Sequence, residues 1–297
     1  MTVRLRVLSL GAGVQSTTLA LMAAAGEITP MPDCAIFADT GEEPAAVYSH
    51  LSQLTERLPF PVHVVRAWEG YGKPSIKSRL GDEILSATRG EGKAGSHSRP
   101  PFFVSNADGS KGIIRRQCTG DYKIDVIQAK ERELLGLKRG QRWPSAVSIV
   151  QWIGISTDEA ARMKPVMQRR KVNGEMRPVP HPAIEGRWPL IDARMSRWDC
   201  MRWLEGHGFE VPPKSACTFC PFHADAEWRR INADPVAWAR AVEIDRAIRH
   251  GLVAKSLEGS LYLHASLKPL EDADLSTAEE RGQGNLFTNE CEGMCGV

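Results

Sequence analysis

A glycine-rich turn separates an apolar run from a helix-forming stretch in the segment VLSLGAGVQSTTLALM, at positions 7–22. Backbone N–H groups in such a turn, together with the positive end of the following helix, can hold phosphate oxygens. Two kinds of loop have this build. A dinucleotide loop needs a third glycine where Ser16 stands, and its acidic residue would be Asp39, far along the chain. A pyrophosphate loop ends in a serine at the helix N-terminus, and Ser16 fits that position.

A second polar loop follows the next apolar run. It consists of Asp39-Thr40-Gly41 and the two glutamates after them. The carboxyl ends of parallel strands meet at one edge of a sheet, where ligands bind. The two loops together therefore favour a pyrophosphate loop over a dinucleotide loop, with ATP as the ligand. The predicted nucleotide-binding residues in the two loops are Ser9, Gly11, Gly13, Gln15, Ser16, Asp39, Thr40 and Gly41.

Cysteines form a second candidate site. The chain has 7 cysteines, an odd number that argues against a disulfide framework. Two cysteines in CTFC lie on one turn and can reach one metal, but zinc and iron–sulfur sites generally need four ligands. The candidate metal ligands are Cys118, Cys217, Cys220, Cys291 and Cys295.

Charged residues lie near these candidates. Arg115, Arg116 and Lys123 flank Cys118, and such cations bind phosphate or sulfate and favour a thiolate. Asp158 follows a predicted strand and could hold Mg²⁺ or substrate at the same sheet edge. From 66 to 142 the chain has 16 Lys/Arg against 9 Asp/Glu, a basic rim suited to a polyanion.

Short apolar runs alternate with helical patterns, which predicts an α/β fold with a mostly parallel sheet of five strands and helices on both faces. The strands are expected at 4–10, 33–38, 61–66, 146–155 and 187–192. Helices are expected at 16–25, 44–57, 121–136 and 196–206, with Trp198 in the core, and at 225–250, split at Pro235. Asn173-Gly174 predicts a hairpin turn.

The chain of 297 residues is expected to divide into two domains. Residues 1–195 would form a nucleotide-binding α/β domain, and 196–297 a helical, cysteine-bearing extension. The segment 67–114 has no clear period and predicts a long flexible loop. With no long apolar run and no signal-peptide pattern, the chain is expected to be cytoplasmic and to have no membrane partner.

The order of SLGAGVQST, FADTGEE, RRQCTGDYKIDVI, GISTDEAARM, PLID and SACTFCPF resembles the phosphoadenosine phosphosulfate (PAPS) reductase family. That family belongs to the adenine-nucleotide α-hydrolase, or pyrophosphate-loop ATP pyrophosphatase, superfamily. The resemblance covers residues 5–225 and implies a Rossmann-like (HUP) sheet. It also implies an ATP, PAPS or adenylyl sulfate (APS) site that includes Arg116. Arg115, Lys123 and Asp158 are implied as catalytic residues.

Two departures from the family pattern bear on the activity. Gln15 stands where ATP-splitting members carry an aspartate that helps position Mg²⁺ and pyrophosphate. The tail ECEGMCGV resembles the family's short segment whose cysteine attacks sulfur, which implies Cys291 or Cys295 as nucleophile. By resemblance, Cys118, Cys217 and Cys220 with a tail cysteine would hold a 4Fe–4S cluster. A zinc site is the alternative.

Three functions remain open at this point. The first is a nucleotide-dependent enzyme that activates or transfers sulfur to a nucleotide or nucleic acid, with tRNA or DNA and a sulfur donor as partners. The second is a sulfonucleotide reductase that releases sulfite and uses a thioredoxin-like reductant. The third is a nucleotide- or nucleic-acid-binding module that does not hydrolyse ATP.

Overall fold

The structure is a computed structural model that describes residues 3–91, 99–106, 108–138, 140–250, 259–277 and 280. The strands are β1 (Leu5–Ser9), β2 (Cys34–Asp39), β3 (Val62–Arg66), β4 (Phe103–Asn106), β5 (Lys111–Ile113), β6 (Ile149–Ile153), β7 (Met167–Val172), β8 (Glu175–Pro180), β9 (Ile184–Arg187) and β10 (Gly259–Tyr262). The helices are α1 (Val14–Ala24), α2 (Ala45–Arg57), α3 (Leu80–Thr88), α4 (Asp125–Leu134), α5 (Pro189–Asp192), α6 (Arg197–Gly206), α7 (Asp225–Asn232) and α8 (Pro235–His250).

The chain forms two compact units that are interleaved in sequence. Unit 1 consists of Met1–Ala38, Ala45–Val65 and Val126–Ser215, and unit 2 of Asp39–Pro44, Arg66–Asp125 and Ala216–Val297. The division predicted from the sequence, into 1–195 and 196–297, stays a prediction. Contacts between residues distant in sequence define the units, and no local composition pattern marks such contacts.

Unit 1 is built on a five-stranded sheet in the order β3-β2-β1-β6-β9. The pairs β1–β2, β1–β6 and β6–β9 are parallel, which confirms the predicted α/β class. Central strand β1 pairs Leu8 with Ala35 on one side and with Trp152 on the other. The carboxyl ends of these strands therefore lie at one edge, where open sheets bind ligands.

Both faces of the sheet in unit 1 are covered. Every residue of β2 is buried, as expected for a parallel strand with helices on both sides. Ala35 and Phe37 join a core cluster that includes residues of α1, α2, α5 and α6. Cys34 and Ile36 alternate with them and are buried on the opposite face.

Unit 2 contains a small antiparallel sheet in the order β10-β4-β5. Helix α8 packs against both α3 and β10, and α7 packs against α8. The predicted split at Pro235 is confirmed, because α7 ends at Asn232 and α8 begins at Pro235. Proline is favoured at the first position of a helix, since its missing N–H would have no partner there.

Three predictions differ from the structure. The fifth strand is β9 at Ile184–Arg187, whereas Pro189–Asp192 forms helix α5 because Pro189 starts a helical turn. The segment 67–114, expected as a long loop, contains α3, β4 and β5 among its described residues. Trp198, expected in the core, is 59% exposed. None of the helices in the described ranges combines the length and apolarity needed to cross a membrane.

A buried carboxyl group lies on α4 within unit 1. Glu131 on α4 is 0% exposed, and neither carboxyl oxygen has a hydrogen-bond partner among the described residues. Burial raises the pKa of Glu131 from 4.5 to about 8. Between pH 4.5 and about 8, the folded chain therefore keeps the carboxyl proton of Glu131, whereas the unfolded chain loses it. Stability from this group is present at low pH and falls as pH rises toward 8.

Replacing Glu131 with methionine is expected to raise the free energy of unfolding by about 1–3 kcal/mol below pH 4.5, because an unpartnered buried polar group is removed, and by more as pH rises toward 8. The wild type should lose up to about 1.4 kcal/mol per pH unit across this window, and the variant should not. Urea unfolding at several pH values measures both. Glu56→Gln, at an exposed position on α2, is the control. An unchanged pH dependence in Glu131→Met would contradict the assignment.

Candidate functional site

The glycine loop of unit 1 follows β1 directly and leads into α1. Ala12 has a φ of 58°, in the left-handed region typical of tight turns, and Gly13 is the N-cap of α1. No side chain caps this helix, and its first turn contains no acidic residue. The first N–H groups of a helix have no partner within the helix, and they lie at its positive end. The start of α1 can therefore accept an anion.

Ser16 holds the loop in shape. The backbone N–H of Gly11 donates to Ser16 Oγ over 3.2 Å, and that hydroxyl donates to the carbonyl of Gly13 over 3.3 Å. Gly154, just after β6, packs directly on the loop. A Cβ at this position would lie 3.0 Å from the backbone nitrogen of Ser16 and 3.1 Å from its Cα. Only a glycine permits this close approach without moving the loop.

Gln15 lies between opposite charges. Its Nε2 donates to Ser156 Oγ over 3.4 Å and to Glu159 Oε2 over 3.3 Å. Its Oε1 accepts from Arg197 Nη1 over 3.2 Å. Glu159 in turn forms an ion pair with Arg162. The amide therefore satisfies an acid and a base at once, which an aspartate at this position could not do.

Asp158, predicted as catalytic, makes a structural contact in unit 1. Its Oδ1 accepts from the backbone N–H of Arg197 over 3.0 Å, at the first turn of α6. Ser196 and Asp199 complete a capping box at the same helix end. A carboxylate at a helix N-terminus is stabilising in its own right. A catalytic role for Asp158 stays a prediction.

The second predicted loop belongs to unit 2. Asp39 is 2% exposed, and its carboxylate is already engaged. Oδ1 accepts from the N–H of Gly41 over 2.7 Å, and Oδ2 accepts from Arg66 Nε over 2.8 Å. Gly41 has a φ of 76°, and a Cβ there would meet the side chain of Arg79 at 2.4 Å. A glycine is therefore required at this turn.

Glu42 ties this loop to the rest of unit 2. Its side chain accepts from the N–H of Gly81 over 3.1 Å and from Arg240 Nη2 over 2.7 Å. Its backbone carbonyl accepts from the N–H of Thr218, within the CTFC segment, over 2.8 Å. The side chain is only 4% exposed. Glu42 thus joins α3 and α8 to the turn that carries two candidate cysteines.

Three of the described cysteines of unit 2 lie near a lysine. Lys123 Nζ lies 3.7 Å from Glu43 Oε1. Burial opposes charging of Lys123, but Glu43, Cys217, Cys118 and Cys220 together raise its pKa. Thr40 Oγ1 lies 3.2 Å from Cys217 Sγ. Three of the predicted metal ligands therefore lie in one neighbourhood, with an ammonium group among them.

The thiols of this cluster are not activated as the sequence predicts. Burial raises the pKa of Cys118, against the opposing effect of Lys123 and Arg116. Burial and then Glu43 also raise the pKa of Cys217, against Lys123 and a hydrogen bond with Thr40. Desolvation of a thiolate outweighs the nearby cations, so neither thiol has the lowered pKa that the sequence predicts.

The described residues do not by themselves supply a metal site. Within the part of the chain that the structure describes, no group of three or more His, Cys, Asp or Glu side chains is arranged to hold a metal ion. Cys291 and Cys295 lie outside the described residues. His223, which follows the CTFC segment, bonds through Nε2 to the carbonyl of Cys217 over 2.9 Å.

Predicted site residues thus fall into two groups. Unit 1 holds Ser9, Gly11, Gly13, Gln15, Ser16 and Asp158, and unit 2 holds Asp39, Thr40, Gly41, Arg115, Arg116, Cys118, Lys123, Cys217 and Cys220. Arg115 is exposed, and the guanidinium of Arg116 lies 5.7 Å from the ring centre of Phe222. Gly154 and Arg197 were not among the predicted site residues, whereas Glu159 follows the same predicted strand as Asp158. The predicted strand at 146–155 includes Gly154, and the signal for this residue was its place at the start of the motif GISTDEAARM.

No protein-family model matches the chain, and no curated protein matches it. Among solved structures, the chain is similar to the phosphoadenylyl-sulfate (PAPS) reductase from Candida auris, in a phosphate complex. The TM-score is 0.38 at 14% identity, over 70% of this chain and 74% of that one. At this distance the similarity carries no argument about activity. The α/β fold rests on the sheet described above.

Proposed function

We propose that this chain is an enzyme that binds ATP or a related adenine nucleotide at the loop of residues 10–16, and activates or transfers sulfur to a nucleotide or nucleic-acid substrate. One observation carries the proposal. The uncapped start of α1 lies in a glycine loop at the carboxyl end of the central strand β1. A polyphosphate satisfies the N–H groups at such a helix end.

Arg197 supports the same interpretation. Its guanidinium already contacts Gln15 in the loop, and an arginine can bind phosphate through two parallel hydrogen bonds. The carboxylates near this loop are otherwise engaged, since Glu159 pairs with Arg162 and Asp158 caps α6. Mg²⁺ prefers free carboxylate oxygens. The described residues therefore do not fit the predicted Mg²⁺, and no step of the proposal depends on it.

The sulfur chemistry rests on the resemblance and on the thiols near Lys123. A thiol must lose its proton before it can attack sulfur or carry it. Lys123 is the charge that favours the thiolate of Cys217 and Cys118 against burial. Because burial raises the pKa of both thiols, Lys123 is the group in this cluster that is suited to bind an anionic part of the substrate.

The predicted 4Fe–4S cluster stays a prediction, as does the zinc alternative. The described cysteines do not form a metal site alone, so no step is derived through a metal. Anaerobically purified protein is the sample that tests it. If the tail cysteines complete a cluster, absorbance near about 400 nm with about four irons per chain is expected. Colourless protein with one zinc would support the alternative.

The binding step is tested by calorimetric titration of ATP into the wild type and two variants. Arg197→Met should weaken binding by about tenfold, the value of one charge-assisted hydrogen bond. Arg202→Met removes an exposed arginine from the same helix and should change the affinity by less than about twofold. No binding of ATP, PAPS or APS to the wild type would overturn the proposal.

Products then distinguish the enzymes. Pyrophosphate release from ATP in the presence of a nucleic acid and a sulfur donor is expected. Sulfite release from PAPS or APS with a thioredoxin-like reductant would instead support the sulfonucleotide reductase. That reaction would use Cys291 or Cys295.

The contacts of Gln15 favour a second candidate, a nucleotide-binding module that does not cleave ATP. The amide is held by Arg197 and Glu159 rather than free to position pyrophosphate. If the wild type binds ATP without releasing pyrophosphate, and Gln15→Asp gains that release, the module is favoured. Pyrophosphate release by the wild type rules it out.

A further inference from the structure

Strands β7 and β8 of unit 1 form a separate two-stranded antiparallel ribbon. Their register runs from Met167 opposite Pro180 to Val172 opposite Glu175. Asn173 and Gly174 close the ribbon with φ values of 50° and 88°, the geometry of a tight hairpin turn. The predicted turn is therefore confirmed, and the ribbon pairs with no other described strand.

Packing does not explain this ribbon. From Arg169 to Pro178 every residue is exposed except Val172, which is half-buried. A lone two-stranded hairpin is marginally stable in water at best. A ribbon that buries neither face adds little to the core, so its solvent-facing residues are free to contact a partner.

The charge of the ribbon is strongly positive. Its two strands contain four cations, Arg169, Arg170, Lys171 and Arg177, and a single acid, Glu175. Arg170 lies directly opposite Arg177, and like charges at such positions destabilise a ribbon. Glu175 pairs with Arg177 over 2.8 Å, and no described acid pairs with Arg169, Arg170 or Lys171. An anionic partner would relieve this repulsion.

The edge of β8 argues against a third strand as that partner. Pro178 and Pro180 have no N–H to donate, and prolines within a sheet are confined to positions whose N–H would face away from the ladder. Two donors that an added strand would need are therefore missing. At this edge, side chains rather than the backbone are suited to make the contact.

We propose that the β7–β8 ribbon binds duplex DNA, with Arg169, Arg170 and Lys171 on backbone phosphates. The major groove of B-DNA is about 12 Å wide and admits a two-stranded ribbon. The deep, narrow major groove of duplex RNA does not. The role of this ribbon in binding a DNA substrate rests on the proposed function. DNA binding by the ribbon requires no bound nucleotide.

Fluorescence anisotropy with a labelled duplex of about 20 base pairs, without nucleotide, tests the proposal between about 50 and 200 mM salt. The triple variant Arg169→Gln, Arg170→Gln, Lys171→Gln should lose at least about tenfold in affinity. Its plot of log K against log salt should be shallower by about 3. Arg4→Gln, Arg57→Gln, Lys138→Gln removes the same charge from exposed sites elsewhere in unit 1 and should keep the wild-type affinity.

A gain of binding checks that the loss is not misfolding. Glu175→Gln removes the one acid of the ribbon and should tighten binding by about twofold or more. Salt-insensitive or absent binding by the wild type would overturn the proposal, as would equal losses in both triple variants. Tighter binding of single-stranded DNA or duplex RNA of the same sequence would also overturn it. Calorimetry with ATP on the ribbon variant tests the proposed function separately.

Discussion

Alanine at position 154 should weaken ATP binding by about 10- to 100-fold, because the added methyl group pushes into the backbone of the glycine loop. The Cβ would lie 3.0 Å from the nitrogen of Ser16 and 3.3 Å from the carbonyl carbon of Gln15. These atoms are backbone, so no side-chain rotation relieves the contact. The N–H groups at the start of α1 would turn away from a bound phosphate.

The control for Gly154→Ala is Gly206→Ala, near the end of α6. A Cβ at Gly206 meets no atom within 4 Å. This variant should bind ATP as the wild type does and be more stable by up to about 1 kcal/mol. Calorimetric titration of both proteins measures the difference. Wild-type affinity in Gly154→Ala would show that the loop does not hold the nucleotide in this conformation.

Replacing Glu42 with alanine should lower the free energy of unfolding by about 3–5 kcal/mol, because it breaks a buried ion pair and leaves Arg240 partly uncompensated. The N–H of Gly81 also loses its acceptor. Because the backbone of Glu42 is hydrogen-bonded to Thr218 in the CTFC segment, the variant should also expose Cys217 and Cys220 to alkylating reagents. Chemical unfolding and thiol alkylation measure the two effects.

Glu243→Ala is the matched control, since Glu243 binds the same Arg240 over 2.9 Å but is 53% exposed. An exposed ion pair contributes about 0–1 kcal/mol, so this variant should unfold much like the wild type. An equal loss of unfolding free energy in Glu42→Ala and Glu243→Ala would show that burial does not strengthen the contact between Glu42 and Arg240. If Glu42→Ala does not fold, Glu42→Gln keeps an acceptor for Gly81 and should lose less stability.

The central elements of unit 1 could be predicted because their patterns are local. The apolar runs, the glycine turn and the helical stretch locate β1, the loop and α1 without any tertiary contact. The Asn173-Gly174 turn is also a local signal, since both residues readily adopt positive φ. The same holds for the break at Pro235.

The remaining site residues depend on contacts between distant parts of the chain. Arg197 lies 182 positions from Gln15, and Glu159 lies 144 positions away. A single sequence has no spacing rule that pairs them. The expected thiolate of Cys118 was also wrong for a reason the sequence does not contain, because the extent of burial decides its pKa.

Amide hydrogen exchange on peptides that cover residues 10–19, with and without saturating ATP, tests the central claim most directly. If the start of α1 holds the phosphates, ATP should slow exchange at the N–H groups of Gly13, Val14, Gln15 and Ser16. That protection should be absent in Gly154→Ala at the same nucleotide concentration. ATP binding that leaves exchange in this loop unchanged would contradict the account.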